Sequence, residues 1–185
     1  ITTNPIAGTN KRGKTEEEDL ANEQALINDE KELSEHRMLV DLGRNDLNII
    51  AKTGSVHMPK LMTGERFEHV MHIVTIVEGE IKPEVTPLQM ITALLPAGTV
   101  SGAPKTRAIT RIYETRKQKR GIYAGGVGYI NCNHDLDFAL TIRTMVVDSE
   151  YINVEAGCGV VYDSVPQKEL QETKIKAKSL LEVSP

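Results

Sequence analysis

A run of β-branched, mostly apolar residues between Val70 and Val77 is the feature that most restricts the fold of this chain. Such a run is typical of a strand with a buried face. Three further strand-like segments close the chain, and short polar turns such as Asn133–Asp135 join them, so neighbouring strands are expected to pair as hairpins. Helical patterns precede, separate and follow these strands. This order predicts an α+β fold, with helices packed on a mostly antiparallel sheet.

Caps, turns and apolar spacing predict the bounds of the individual elements. A capping box at Thr15 and Glu18 predicts a helix over Glu16–Ile27, and Asn28 or Asp29 caps the next helix, which Gly43 is expected to loosen or end. The other helices are predicted at Leu88–Leu95, from Pro104 to Lys119 and from Pro166 to Leu181. The strands are predicted at Ser55–Leu61, Glu65–Lys82, Ile122–Asn131, Leu136–Val147 and Tyr151–Tyr162. Loops are predicted at Thr2–Gly13 and Pro96–Lys105.

The bulk composition argues against several classes of protein. The 185 residues carry 22 Lys and Arg against 26 Asp and Glu, so the formal net charge of −4 gives no electrostatic footprint for binding nucleic acid. No apolar run reaches the ~18 residues of a membrane-spanning helix, and the first residues lack the apolar core of a signal peptide. The two cysteines, Cys132 and Cys158, have no CxxC spacing, so reduced thiols and a cytoplasmic location are expected.

Two pairs of glutamates stand three residues apart in predicted helices: Glu32 with Glu35, and Glu169 with Glu172. This spacing puts both carboxylates of a pair on one helix face, where like charges oppose helix formation. A hard divalent cation takes oxygen ligands and would reverse the sign of that effect. One hypothesis is that the two pairs face one another across a Mg²⁺ site. The alternative is that each pair is a solvated helix face.

The glycine-rich runs do not match nucleotide-binding motifs. In Gly98–Thr106, two residues separate the second glycine from Lys105, whereas a P-loop has none between them. Gly125–Gly128 lies inside a strand pattern and does not open a helix, unlike a dinucleotide fingerprint. Ala156–Gly159 has two interpretations: a bulge that curves the sheet, or backbone N–H donors aimed at a carboxylate.

Two charged or titratable side chains in predicted strands also have two interpretations each. Arg143 in an apolar segment either points to solvent or faces inward, where a carboxylate is its natural partner. His72 is either a half-exposed strand histidine with satisfied hydrogen bonds or a functional group. Lys176 follows Glu172 by four residues, so the two side chains are expected to lie side by side on one helix.

Eight motifs, in this order and spacing, resemble the C-terminal catalytic region of the chorismate-utilising enzymes, and the resemblance covers essentially the whole chain. They are NPIAGT (Asn4–Thr9), KELSEHRMLVDLGRNDL (Lys31–Leu47), HVMHIV (His69–Val74), PAGTVSGAPK (Pro96–Lys105), RGIYAGGVGYI (Arg120–Ile130), ALTIRT (Ala139–Thr144), EAGCGVVYDS (Glu155–Ser164) and ELQETKIKA (Glu169–Ala177). The resemblance implies that residues 1–185 are the C-terminal part of a chorismate-binding catalytic domain, within the larger α/β sandwich of that family.

The resemblance also implies a role for individual residues. The implied metal ligands are Glu35 and Glu172, which would bind Mg²⁺ directly, and Glu32 and Glu169, which would reach it through water. The ring carboxylate of chorismate would meet the metal, the backbone N–H groups of Gly8 and Thr9, and Lys176. The enolpyruvyl carboxylate would meet Arg143, Tyr123 and the N–H of Gly159, with Gly157 lining the site. His72 and Thr99 would lie near the ring hydroxyl that departs.

Within the family, the chain is most similar to the lyases that convert chorismate to anthranilate, the first step of tryptophan biosynthesis. Aminodeoxychorismate synthases typically carry a nucleophilic lysine where Ala7 stands, so the resemblance implies direct attack by ammonia at C2 with loss of pyruvate. A glutaminase subunit is the implied partner, and a homo-oligomer is a further expectation. The alternatives are an isochorismate, salicylate or aminodeoxychorismate synthase, or a non-catalytic fragment that only docks the glutaminase subunit. Because members of the family are much longer, we expect a fragment that lacks its N-terminal part and is inactive alone.

Overall fold

The structure is a computed structural model, and it describes residues 1–162 and 164–182. The chain divides into two compact units. The first unit contains residues 1–94 and 103–107, and the second contains residues 95–102 and those from 108 onward. The elements of the described residues are, in chain order, β1 (Thr2–Thr3), β2 (Ile6–Lys11), α1 (Glu16–Ile27), α2 (Glu30–Ile50), β3 (His57–Arg66), β4 (Val70–Glu78), α3 (Pro87–Leu94), α4 (Gly98–Ser101), α5 (Lys105–Thr115), β5 (Gly126–Ile130), β6 (Leu136–Leu140), β7 (Met145–Val147), β8 (Ile152–Val154) and α6 (Pro166–Leu181).

The first unit is built on an antiparallel sheet with β4 at its centre. Strands β1 and β2 pair with successive parts of β4, and β3 pairs with β4 along nearly its whole length. Since a strand has two edges, β1 and β2 share one edge of β4 and β3 takes the other. Met71, Ile73 and Val77 on β4 are fully buried, which confirms that the β-branched run is the core strand. The predicted α+β class with a mostly antiparallel sheet is confirmed.

Strands β1 and β2 lie where a loop was predicted over Thr2–Gly13, so that prediction is wrong for Thr2–Thr3 and Ile6–Lys11. The Ala-Gly pair marks a β-bulge inside a strand. From Ala7 to Asn10 the strand advances three residues while its partner advances two, from Ile73 to Met71. Gly8 has φ +67° at this point, a conformation that L side chains rarely adopt.

The hairpin of β3 and β4 also differs from its prediction. The predicted strands Ser55–Leu61 and Glu65–Lys82 place the break before Glu65, whereas β3 continues to Arg66 and the turn follows it, closed by Phe67 N–H donating to Val70 O at 2.8 Å. Gly64 therefore lies in a strand. A Cβ there would come within 2.7 Å of Glu23 Cγ, so this glycine allows α1 to approach the sheet closely.

Helices α1 and α2 form the other layer of the first unit. The bounds of α1 and the N-cap of α2 at Asp29 are confirmed. Two apolar clusters fill the interior: Leu26 with Met71 and Ile73, and Val40 with Leu47 and Val77. The expectation that Gly43 loosens or ends α2 is wrong, because the helix continues to Ile50. Burial of the residues after Gly43 outweighs the roughly 1 kcal/mol that a glycine costs in a helix.

The second unit contains two separate antiparallel pairs, β5 with β6 and β7 with β8. The predicted polar turns between their strands are confirmed: Asn131 N–H donates to Asp135 O in one, and Asp148 accepts from the N–H of Tyr151 in the other. The three predicted strands are too long. Ile122–Asn131 shortens to β5 because successive turns occupy residues 121–125, and Tyr151–Tyr162 shortens to β8.

The predicted strand Leu136–Val147 is broken in the middle. Its two parts are β6 and β7, and residues 141–144 between them form a bend in which Ile142 N–H donates to Leu140 O at 2.9 Å. Arg143 has φ +50° here, outside the range of a strand. The prediction that Arg143 lies in an apolar strand is therefore wrong.

The helices of the second unit follow their predictions more closely. Helix α6 has its predicted bounds, and α5 ends at Thr115 rather than at Lys119. Four cations follow within the next five residues, and Arg116 pairs with Glu155 instead of continuing the helix. The predicted loop Pro96–Lys105 contains the single turn α4. None of the helices in residues 1–162 and 164–182 is long and apolar enough to cross a membrane.

Candidate functional site

In the first unit, the β2 bulge and the strand opposite it bring three predicted site residues together. The ring Nδ1 of His72 lies 2.7 Å from Gly8 O and 3.3 Å from the hydroxyl of Thr9. A carbonyl oxygen only accepts, so the contact with Gly8 assigns the Nδ1 proton to His72. In the neutral ring this leaves Nε2 with a lone pair. The bulge thus fixes both the backbone N–H groups and the orientation of the imidazole.

Glu32 and Glu35 lie on the first turns of α2, and Glu32 is close to the same bulge. A Cβ on Gly8 would come 3.2 Å from Glu32 Oε2, which places Glu32 beside the bulge. Glu35 Oε1 lies 3.9 Å from Lys31 Nζ, a long surface ion pair. Hydrogen bonds from the N–H groups of Lys31 and Glu32 to Asp29 begin the helix and hold its first turn in place.

Behind this helix face, His36 is completely buried and contacts the central strand. Its Nε2 lies 2.7 Å from Thr75 Oγ1, which also accepts a hydrogen bond from Met62 N–H at 2.9 Å. Burial lowers the pKa of His36 to about 4, so the ring is neutral at pH 7. Among the described residues, its Nδ1 has no hydrogen-bond partner. This polar contact ties α2 to β4 within an apolar interior.

An arginine–aspartate pair holds the end of β2 against α1. Arg12 Nε donates to Asp19 Oδ2 at 2.9 Å, and Gly13 N–H donates to Asp19 Oδ1 at 2.6 Å. The hydrogen bonds from Arg12 and then from Gly13 hold the pKa of Asp19 at about 2. The hydrogen bonds to Asp19 therefore hold the C-terminal end of β2, beyond Gly8 and Thr9, against α1.

A second ion pair lies at the ends of the segment that carries Thr99. Lys105 Nζ lies 2.6 Å from Asp46 Oδ2 and 3.5 Å from Leu94 O, and both charged side chains are largely buried. Burial raises the pKa of Asp46, against the lowering effect of Lys105. Leu94 and Lys105 flank residues 95–104, so the contact between Lys105 Nζ and Leu94 O joins the two ends of that segment. Thr99 itself is exposed on α4.

In the second unit, Tyr123 and Gly157 lie together. The phenolic oxygen of Tyr123 would lie 3.0 Å from a Cβ on Gly157, so a side chain at that position would crowd the hydroxyl. A Cβ on Gly159 would meet no heavy atom of the described residues within 4 Å, so its backbone is open to a ligand. Both glycines lie in irregular chain after β8, outside the predicted strand.

Arg143 and the end of the second acidic pair form another group in this unit. Arg143 Nη1 donates to Lys176 O at 3.4 Å, and Lys176 Nζ forms an ion pair with Glu172. The expectation that Lys176 lies beside Glu172 is confirmed. Glu169 lies one turn earlier on α6 and is half-buried. Arg143 is exposed and has no ion-pair partner among the described carboxylates.

Two arrangements in these units did not follow from the residue pattern. Lys105 and Asp46 are 59 residues apart, and neither stood out in the sequence beyond its motif. Arg120 stood out only as the first residue of the motif Arg120–Ile130, yet its guanidinium donates to Val100 O at 2.8 Å. A signal for Arg120 was its position directly before Gly121, between a helix end and a strand.

The donor chemistry of the two acidic pairs fits a hard divalent cation. Each pair offers carboxylate oxygens from one helix face, and no sulfur ligand lies in either pair. Within each unit, the described residues do not gather three His, Cys, Asp or Glu side chains into a metal site. The site formed by four carboxylates therefore stays a prediction.

Comparison with known proteins places the chain in a family. The family model described as chorismate binding enzyme matches residues 1–182. The chain belongs to the chorismate binding enzyme family. Anthranilate synthase component 1 of Lactococcus lactis is 55% identical over 183 residues, which is 99% of this chain and 40% of that protein. The chain thus spans about two fifths of the length of this relative.

Solved structures of the family agree with the fold. The crystal structure of anthranilate synthase component I from Streptococcus pneumoniae aligns with a TM-score of 0.88 at 52% identity, covering 97% of this chain and 39% of that one. The menaquinone-specific isochorismate synthase of Escherichia coli aligns with a TM-score of 0.85 at 23% identity, covering 97% and 41%. The second likeness shows a common fold. The identity with anthranilate synthase component I is more than twice as high.

Proposed function

We propose that the protein containing this chain is an anthranilate synthase large subunit, a Mg²⁺-dependent lyase that aminates chorismate at C2 and releases pyruvate. The observation that carries the proposal is the 55% identity to a protein named anthranilate synthase component 1, over 99% of this chain. The product would be anthranilate, which enters tryptophan biosynthesis. Two groups of residues, one in each unit, support the chemistry.

Arg143, Tyr123 and the open backbone of Gly159 are suited to an anionic substrate. A guanidinium and a phenol supply donors for a carboxylate, and the exposed Gly159 N–H supplies a third. Gly157 leaves the Tyr123 hydroxyl uncovered. We assign these residues to the enolpyruvyl carboxylate of chorismate. Holding that group orients the ring for attack and reduces the entropy lost in the reactive step.

His72 and the bulge are suited to the ring hydroxyl and the ring carboxylate. With Nδ1 donating to Gly8 O, the Nε2 atom of His72 is the nitrogen available to carry a proton. We assign that nitrogen, with Thr99, to the hydroxyl that leaves as water when ammonia adds at C2. The N–H groups of Gly8 and Thr9, together with Lys176, are assigned to the ring carboxylate.

Ala7 supports direct attack by ammonia rather than by a side chain. It lies on β2 opposite Ile73 and bears no nucleophile. A chain with a lysine at this position would carry an amine into the bulge region. Without one, free ammonia or ammonia released by a glutaminase subunit is the nitrogen donor. We therefore propose a glutaminase subunit as the partner. We also propose the cytoplasm as the compartment, because Cys132 and Cys158 form no disulfide.

Glu35 and Glu172, with Glu32 and Glu169 through water, are the residues that would hold Mg²⁺. When bound, the ion would supply positive charge that offsets the ring carboxylate and orients it. Lys176 has two assigned roles, because its ion pair with Glu172 and its contact with substrate use the same ammonium group. We expect the lysine to leave Glu172 when metal and substrate bind.

The test is anthranilate fluorescence with chorismate, ammonium and Mg²⁺, using the native-length protein that contains this chain, with an EDTA control. Anthranilate that appears with Mg²⁺ and vanishes with EDTA supports the proposal. Isochorismate or salicylate as the product would replace it with another family activity. Assaying residues 1–185 alone beside it tests the expectation that this stretch is inactive by itself.

Variants of the acidic pairs test the metal assignment separately. Glu35→Gln and Glu172→Gln should each abolish turnover, since each removes a charge from the proposed ligand set. The matched control is Glu30→Gln, an exposed glutamate on α2 outside the set, which should keep wild-type turnover. Wild-type rates in Glu35→Gln or Glu172→Gln would refute the metal assignment while leaving the product assignment standing.

A further inference from the structure

Arg120 has a set of contacts that the proposed function does not use. It lies in the second unit, after α5 and directly before Gly121. Its Nη1 donates to Val100 O at 2.8 Å, and its Cζ lies 5.6 Å from the centre of the Tyr123 ring. Tyr123 N–H in turn donates to Arg120 O at 3.0 Å. One side chain therefore contacts both the α4 turn and the tyrosine.

The guanidinium of Arg120 is held inward, unlike a solvated surface charge. Its Nε is buried and has no hydrogen-bond partner among the described residues. No described carboxylate lies within ion-pair distance of Arg120, although its neighbour in the basic run, Arg116, pairs with Glu155. Burying part of a charged group without a counter-ion is unfavourable. The contacts with the carbonyl and the aromatic face are what hold it there.

One partner of Arg120 lies next to a residue assigned to the substrate, and the other is itself assigned to the substrate. Val100 follows Thr99 in the chain, and its carbonyl is part of the short turn α4, in which Gly102 N–H donates to Gly98 O. Tyr123 presents its hydroxyl toward Gly157. A shift of Arg120 would therefore release the turn that carries Thr99 and the ring that carries the Tyr123 hydroxyl at the same time.

We propose that Arg120 is a positioning residue that fixes the α4 turn and the Tyr123 ring relative to one another. It acts on the substrate through Thr99 and Tyr123. The consequence for turnover rests on the proposed function, whereas the effect on the turn and the ring does not. The test therefore has one arm that needs no activity and one that does.

The first arm measures amide hydrogen exchange in the native-length protein. Arg120→Met keeps the apolar stem and removes the donors, so the amides of Val100 and Gly102 should exchange about tenfold faster. Amides of the β5–β6 ladder should be unchanged. The matched control is Arg111→Met, which removes an exposed arginine from α5 that pairs with Glu114. It should leave exchange in α4 as in the wild type.

The second arm measures KM for chorismate and uses a double mutant. Arg120→Met should raise KM by about tenfold in the wild-type background but by at most about threefold in a Tyr123→Phe background, since both changes disturb the same hydroxyl. If Arg120→Met only lowered the stability of the protein, its effect on KM would be equal in both backgrounds. Arg120→Lys keeps the charge and one donor, so it should give intermediate values in both arms; it also serves if Arg120→Met fails to fold.

Each result decides the proposal. Faster exchange confined to α4, with a smaller KM effect in the Tyr123→Phe background, supports it. Unchanged exchange in Arg120→Met and Arg120→Lys overturns it, and so does a full tenfold KM effect in the Tyr123→Phe background. If the wild-type protein makes no anthranilate, the proposed function fails, and the exchange arm alone decides whether Arg120 holds the turn.

Discussion

Replacing Thr75 by valine tests whether the buried polar contact between α2 and β4 stabilises the first unit. The hydroxyl of Thr75 accepts from Met62 N–H at 2.9 Å and lies 2.7 Å from His36 Nε2, while Thr75 and His36 are both fully buried. Valine has nearly the same shape but cannot form either bond. Thr75→Val therefore leaves both nitrogens of the His36 ring without a partner, and it leaves the Met62 N–H without an acceptor.

The magnitude follows from the cost of leaving buried polar groups unpaired. Each such group costs about 1–3 kcal/mol. The histidine is fully buried and belongs near the top of that range, whereas Met62 is half-buried and belongs near the bottom. We expect Thr75→Val to lower the free energy of unfolding by about 2–4 kcal/mol, a large part of the roughly 5–15 kcal/mol of a typical domain.

The assay is a urea titration followed by far-UV circular dichroism, because the chain has no tryptophan. Thr75→Ser keeps the hydroxyl and removes a methyl group, so it should cost only about 1 kcal/mol. If packing alone mattered, the order would reverse and serine would be the worse substitution. Thr92→Val is the exposed control: its hydroxyl bonds to carbonyls of its own helix, and the change should stay within about 0.5 kcal/mol. A Thr75→Val protein as stable as the wild type would refute the reasoning.

Three further predictions concern the supports of the candidate site. Lys105→Met leaves the buried Asp46 carboxylate unpaired and should lower the free energy of unfolding by about 3 kcal/mol, and adding Asp46→Leu should recover most of that loss in the same titration. The pKa of Asp19 is about 2 in the fold and ~3.9 in the unfolded chain, so stability should fall as the pH drops from about 4 to about 2. Asp19→Asn should show a smaller decline in pH-dependent unfolding because it lacks this carboxyl, and an equal decline in both proteins would disprove the assignment. Gly8→Ala places a Cβ 3.0 Å from Leu26 at positive φ and should cost about 1 kcal/mol or more, seen as a lower urea midpoint; an unchanged midpoint would mean that the bulge tolerates a side chain.

Signals that depend on neighbouring residues alone predicted the helices well. The Thr15 capping box, the Asp29 cap and the proline at the start of α6 each act within one turn, and all three helices begin where these residues predict. Strand ends depend on a partner strand far along the chain. The bulge at Gly8 and the bend at Arg143 are set by such pairing, which a residue pattern does not contain.

In the candidate site, too, the sequence predicted some features and left others to the structure. The motifs named the residues, and contacts within each unit group some of them, such as His72 with Gly8 and Tyr123 with Gly157. Their roles stay predictions until turnover is measured. Only the structure explains why residue 8 is a glycine. Its φ is positive, and Leu26 lies too close for a side chain at this position.

Arg120 shows why the residues that support a site are harder to find in a sequence than those that form it. It stands in a run of cations whose members look equivalent, and charged runs are usually solvated. The fold distinguishes them: Arg116 finds a carboxylate, whereas Arg120 turns toward a carbonyl and an aromatic ring and leaves its Nε unpaired. A buried donor without a partner is unfavourable unless other contacts outweigh it. A buried unpaired donor therefore indicates a side chain whose other contacts outweigh the free energy lost by that donor. The residues that make those contacts are candidates for a functional role.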